Sequence, residues 1–255
     1  MARTLRTSVA LALTATLGAL GAGCTTQEPD VVADEFADGQ GQGELAYSEP
    51  AYPTEAAWGI EVGQVVPNFA FVGYANSKDP ALAGLQLVEL ADFYNPDGYA
   101  YEACVKAGGA ACAADYPDAV YPEYSPWKGQ PKPRALSVGV SAVWCGPCNQ
   151  EAKSILPGEY TKYKALGGQF LIALVDGPEP GVAANFTDIT NWKNKYTVEY
   201  GLMTDPTGQL SQLFPPSLPS NGIVRTSDMT IVHVIAGAPE ASYWSKFEAV
   251  LASAN

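Results

Sequence analysis

Residues 135–148 read Ala135-Leu-Ser-Val-Gly-Val-Ser-Ala-Val143-Trp144-Cys145-Gly146-Pro147-Cys148. The first nine form a short apolar run ending in a turn, the pattern of a strand buried on both faces. A helical stretch is predicted over 147–166, stopped by Gly167-Gly168. The two cysteines therefore fall where a strand hands over to a helix. Thiol exchange needs a thiolate, and a free Cys with a pKa near 8.5 is mostly protonated at neutral pH. Unpaired N–H groups and the helix dipole stabilise an anion at a helix N-terminus. Cys145 is the candidate nucleophile. Cys148, one turn further in, is placed to attack a mixed disulfide on Cys145. Pro147 suits the first turn, where its missing N–H would have no partner.

Downstream, the sequence predicts a strand at 170–175, a helix at 189–200, a turn at 205–208, strands at 223–225 and 230–235, and a helix at 240–252. His233 alternates with Val232 and Val234 and is expected to point outward. Upstream, 63–71 and 85–90 carry β-type apolar patterns. Between them and the Ala135 strand, residues 92–133 hold many Pro and Gly and read as an irregular insertion. Asn95-Pro-Asp97-Gly98 reads as a turn.

The N-terminus is different in kind. Arg3 and Arg6 precede an apolar run from Val9 to Leu20, and small residues follow, as in an export signal. The run is too short to span a bilayer, and no later segment has 18 consecutive apolar residues. The signal ends in Leu20-Gly21-Ala22-Gly23-Cys24. It resembles a bacterial lipobox, although Leu20 lies four residues before the Cys rather than three. The resemblance implies a signal peptide over 1–23, acylation of Cys24, and a lipid anchor in the bacterial cell envelope. Residues 24–52 are acidic and poor in large apolar groups, the composition of a flexible tether. One folded domain is expected over 53–255. Net charge is −13, which argues against nucleic acid and anionic lipid as partners, since both need a basic face.

Five cysteines remain to be sorted. With Cys24 lipidated and Cys145 and Cys148 as the reactive pair, Cys104 and Cys112 are left. Outside the cytosol leftover thiols tend to bridge. On one continuous helix, residues eight apart lie roughly 12 Å apart, beyond the ~7 Å reach of a disulfide. A structural bridge needs a chain break, and Gly108-Gly109 offers one. A second redox pair or free thiols are the alternatives. A zinc site would need two further Cys or His ligands; the only His is His233, and Cys104-x7-Cys112 is no second zinc knuckle. No metal or other cofactor is expected.

Trp144-Cys145-Gly146-Pro147-Cys148 is identical to the thioredoxin motif. The surrounding chain resembles the TlpA-like branch of the thioredoxin superfamily, exported and membrane-tethered thiol–disulfide oxidoreductases. Gly63-x-x-x-Pro67-Asn-Phe69, Glu151 three residues after the second Cys, and Asp176 closing a strand carry that resemblance. It covers about 60–91 and 134–253. It implies an α/β thioredoxin fold: a mixed central sheet flanked by helices, with an N-terminal β-hairpin extension. It also implies a cis-proline facing the cysteines, and Leu218-Pro219-Ser-Asn-Gly-Ile223 fits that pattern better than Pro215 or Pro216. Cytosolic thioredoxins carry a buried, proton-moving Asp six residues before the first Cys. Gly139 stands there instead. Glu151 is the candidate for that task; otherwise it is a solvated helix residue.

The function implied is reduction of protein disulfides through the dithiol, with protein disulfides or thiols as partners and a membrane electron donor recharging it. Two rivals are a surface binding module with a static disulfide and a peroxiredoxin-like peroxidase, whose Pro-x-x-x-Thr-x-x-Cys lead-in is missing before Cys145. The insertion is expected beside the active site as a compact lobe. Its Tyr94, Tyr99, Tyr101, Tyr116, Tyr121, Tyr124 and Trp127 would serve recognition or cover the sheet.

Overall fold

The computed structural model describes residues 52–54, 57–76, 84–122, 127 and 129–253. The export signal, Cys24, the tether as far as residue 51, and Tyr124 lie outside the described residues. Among those described, no helix is long and apolar enough to cross a membrane.

Seven strands form one mixed sheet. They are β1 (Ala70–Tyr74), β2 (Gln86–Glu89), β3 (Ala135–Ala142), β4 (Gly168–Asp176), β5 (Gly201–Thr204), β6 (Ser220–Arg225) and β7 (Thr230–Ala236), in the spatial order β2-β1-β5-β4-β3-β6-β7. β3, β4 and β5 run parallel; the other pairings are antiparallel. Every residue of β3 is buried, as its unbroken apolar run requires. The insertion carries α1 (Gly98–Lys106) and α2 (Cys112–Asp115). The remaining helices are α3 (Gly146–Ser154), α4 (Leu156–Lys164), α5 (Phe186–Tyr196) and α6 (Ala241–Ala252). This is the thioredoxin fold with the expected N-terminal hairpin.

The two sheet faces bury separate cores. On one, α3 to α6 pack Cys148, Ala152, Tyr160, Trp192, Tyr243 and Phe247 against Phe170, Ile172 and Ile223. Phe170 stacks on Trp244 at 5.5 Å between ring centroids, which ties β4 to α6. On the other face Val138, Val140, Leu171 and Met203 are covered by Val66, Phe93, Tyr121, Trp127 and Leu213.

Several sequence expectations are corrected. The predicted helix over 147–166 is two helices. Ile155 departs from ideal helical dihedrals, at φ −113° and ψ −64°, where α3 ends and α4 opens. Pro157 explains the break: it has no N–H to donate and its ring crowds the carbonyl four residues back. The next helix begins earlier than 189, because Asn185 caps it. Its side chain accepts from Thr187 N–H and Asp188 N–H, and Asp188 accepts in return from Asn185 N–H. It also stops earlier, at Thr197 with φ +52°, and the chain then forms β5, which the pattern reading missed. His233 does not point freely outward. It sits half-buried with its ring 6.2 Å from that of Tyr243, and desolvation lowers its pKa.

The insertion is also misplaced by the sequence reading. Asn95 N–H donates to Thr226 O at 2.9 Å, and Tyr99 Oη donates to Val250 O at 2.5 Å. Both anchors lie where β3 begins, since Ala135 pairs with Arg225. Cys145 follows the other end of β3, about 23 Å away at roughly 3.3 Å per residue. The described helices of the lobe, α1 and α2, therefore lie toward the far pole and not beside Cys145. Tyr121 and Trp127 instead cover the sheet, with ring centroids 4.8 Å apart. Within the lobe, Cys104 and Cys112 are joined with Cα atoms 5.7 Å apart. The chain turns between them at Gly108, whose φ of +75° suits a residue without Cβ.

Candidate functional site

β3 delivers the chain to the site. After Ala142 it turns at Val143 and Trp144, and Cys145 becomes the N-cap of α3. Its backbone is extended, at φ −75° and ψ 112°, and its Sγ accepts from Cys148 N–H at 3.3 Å. That N–H is one of the helix-start donors with no intrahelical partner, so it can stabilise a thiolate on Cys145. Cys145 and Cys148 are joined as a disulfide, with Cα atoms 5.2 Å apart.

Asn149 fixes this turn. Its Nδ2 donates to Val143 O at 3.0 Å and Cys145 O at 2.6 Å. Its Oδ1 accepts from Lys195 Nζ at 3.0 Å and from Tyr196 Oη, so α5 holds the cysteine loop from the side. Trp144 is 42 % exposed. Its indole is anchored by Nε1 donating to Asp176 Oδ2 at 2.9 Å, and the same oxygen accepts from Gly181 N–H at 3.0 Å.

A groove of about 590 Å³ opens beside Cys145. Its walls include Val140, Trp144, Pro147, Pro215 and Leu218, and among the described residues no charged side chain lines it. Cys145 reaches this groove; Cys148, with no exposed surface, does not. The Leu218–Pro219 bond is cis, and Pro219 leads directly into β6.

Glu151 lies one turn past Cys148 on α3 and is buried, not solvated. Desolvation by burial pushes its carboxyl up to about 8, against which a hydrogen bond from Asn221 acts. Asn221 Nδ2 donates to Glu151 Oε1 at 2.9 Å. Tyr200 and Tyr243 lie close enough to sense the Glu151 charge, and burial holds both phenols far above their usual range.

The structure thus brings Trp144, Cys145, Cys148, Glu151 and Pro219 to one end of the sheet. It places Cys104 and Cys112 at the other. Sequence reasoning missed Asn149 and Asn221. Asn149 follows the motif directly, so its place in the first turn was readable. Asn221 acts through a strand register that a single sequence does not display. Among the described residues no three His, Cys, Asp or Glu side chains gather as a metal site.

No family model and no curated protein sequence matches this chain. Among solved structures, it is similar to a candidate thiol:disulfide interchange protein DsbE from Chlorobium tepidum. The identity is 18 %, the TM-score 0.48, and the match covers 76 % of this chain and 99 % of that one. It is also similar to the thioredoxin domain of a thiol-disulfide oxidoreductase from Bacteroides vulgatus, at 12 % identity and a TM-score of 0.46, over 74 % and 97 % of the two chains. A secreted disulfide oxidoreductase from Mycobacterium tuberculosis is similar at 18 % identity and a TM-score of 0.36, over 47 % of this chain and 82 % of that one.

Proposed function

We propose that this chain is a TlpA-like thiol–disulfide oxidoreductase of the cell envelope that reduces protein disulfides through Cys145 and Cys148. The observation that carries the reading is the asymmetry of the pair. Cys145 caps α3 and borders the apolar groove, while Cys148 is sealed beneath it.

The roles follow from that asymmetry. In the reduced protein the Cys145 thiolate attacks a substrate disulfide and one substrate thiolate leaves. Cys148 then gives up its proton, attacks Cys145 Sγ, and expels the second substrate thiol. Two electrons pass from the dithiol to the substrate, and the Cys145–Cys148 bond forms. Glu151 is the base positioned for the Cys148 proton, since a carboxyl poised near neutrality accepts and returns protons there. The groove favours a neutral, apolar segment around the substrate disulfide. Pro219 lacks an N–H and leaves neighbouring backbone groups for a bound strand. Cys104–Cys112 is a structural bridge of the distal lobe.

Export by residues 1–23, acylation of Cys24 and tethering through 24–52 complete the proposal. They support a folded domain from residue 53 held near a membrane electron donor. Insulin reduction tests the chemistry. Cys145→Ser abolishes turnover, whereas Cys148→Ser accumulates mixed disulfides visible by mass spectrometry. First alkylation at Cys148 under limiting iodoacetamide overturns the assignment of roles. Peroxide consumption exceeding insulin reduction favours the peroxidase reading instead, and a disulfide inert to dithiol buffers favours the binding module.

A further inference from the structure

Gly139 sits at the centre of β3, opposite Asn221 of β6. A Cβ on Gly139 would lie 2.6 Å from Asn221 Oδ1 and 2.9 Å from Ile172 Cδ1. The room left by the missing side chain is therefore filled by the Asn221 amide. From there Nδ2 reaches Glu151 Oε1 at 2.9 Å and Gly237 O at 3.2 Å. Both Asn221 and Glu151 are only 1 % exposed. Asn221 Oδ1 is buried without a hydrogen-bond partner.

That orphaned oxygen matters. A buried acceptor with no donor lowers stability, and an apolar residue of similar size would avoid the loss. Packing alone does not account for an amide here. Its donor end serves two acceptors that an apolar residue cannot, the Gly237 carbonyl and the Glu151 carboxylate, and only the second can change its charge.

We propose that Asn221 is the positioning residue of this site: admitted by Gly139, its amide holds the Glu151 carboxylate in place and sets the pH at which Cys148 releases a mixed disulfide. The inference rests on the dithiol reading above. The surroundings of Glu151 leave the task to Asn221. From α6 comes Tyr243, whose Oη bonds Ser137 and Gly222 O. From the segment before β5 comes Tyr200, whose Oη is buried without a partner. From its own helix comes Cys148. Among the described residues, burial raises the Glu151 carboxyl and the Asn221 bond opposes it.

The test follows the pH midpoint of Cys148 alkylation in a Cys145→Ser background, and the Glu151 carboxyl by carbon NMR in the reduced protein. Asn221→Ala removes a donor from the charged carboxylate, so both midpoints rise by about one pH unit, roughly tenfold in proton affinity. In a Glu151→Gln background the same substitution leaves the Cys148 midpoint where it was. A purely structural Asn221 moves it equally in both backgrounds, or in neither, and either result overturns the proposal. If Asn221→Ala does not fold, Asn221→Ser, which is too short to reach Glu151, is read the same way. If the wild type fails to reduce insulin while the Glu151 midpoint moves as stated, the dithiol reading falls and the Asn221–Glu151 coupling stands.

Discussion

Cys145 and Cys148 lie about one helical turn apart, and Glu151 follows about one turn beyond the inner of the two. Glu151 carries a pH dependence of its own. Its carboxyl is raised from 4.5 to about 8 because burial disfavours the charged form. The folded state therefore binds the Glu151 proton more tightly than the unfolded state. Below pH 4.5 both states are protonated and the burial carries no charge penalty. As pH rises from 4.5 to 8 the unfolded chain gains a solvated carboxylate that the fold withholds, so stability falls across that window. The loss is on the order of a few kcal/mol. Glu151→Gln keeps an acceptor for Asn221 and removes the charge. The melting temperatures of wild type and Glu151→Gln should be close at pH 4.5, with the variant progressively more stable up to pH 8. A gap that stays constant with pH would show that Glu151 is not the group responsible.

Individual elements show why some of the fold was readable and some was not. β3 declared itself through an unbroken apolar run, and the cysteine motif marked the start of α3. The break at Ile155 was carried by Pro157, a local signal that the helical pattern on either side obscured. Asn185 and Asp188 spelled out a capping box, so the start of α5 was legible and was overlooked. β5 had no such marker: Gly201 to Thr204 is four residues, all buried, and it is a strand only because β4 and β1 sit on either side. The lobe's location was not local information either, since Asn95 and Tyr99 find their partners at Thr226 and Val250. The bridge within the lobe yields a prediction at this scale. In the chain-entropy model, closing so short a loop stabilises by about 2–3 kcal/mol. Replacing Cys104 and Cys112 together by Ser should lower the denaturation midpoint accordingly and speed amide exchange over 98–120. Insulin reduction should be unchanged, because α1 and α2 cap the opposite pole from Cys145. Lost turnover in a folded variant would tie the lobe to the chemistry after all.

At the scale of the whole molecule, charge and site are arranged differently. The chain carries 27 acidic and 14 basic side chains, a net charge of −13. Among the described residues, none in the walls of the groove at Cys145 is charged. Contacts within the groove therefore do not tell one sign of charge from the other, while the field around the protein acts on every approaching molecule. Such fields change association rates by about tenfold or more when salt is low. Two peptide disulfides identical except for flanking Lys or Glu residues separate the effects. At low ionic strength the Lys-flanked peptide should show a kcat/KM about three- to tenfold higher than the Glu-flanked one. In 1 M salt, where the screening length is about 3 Å, the two values should converge. The kcat values should agree throughout, because the field acts before the thiolate meets the disulfide. A preference that persists in 1 M salt would mean that short-range contacts near Trp144 or Leu218 select the charge, and a preference for the Glu-flanked peptide would contradict steering by the net charge.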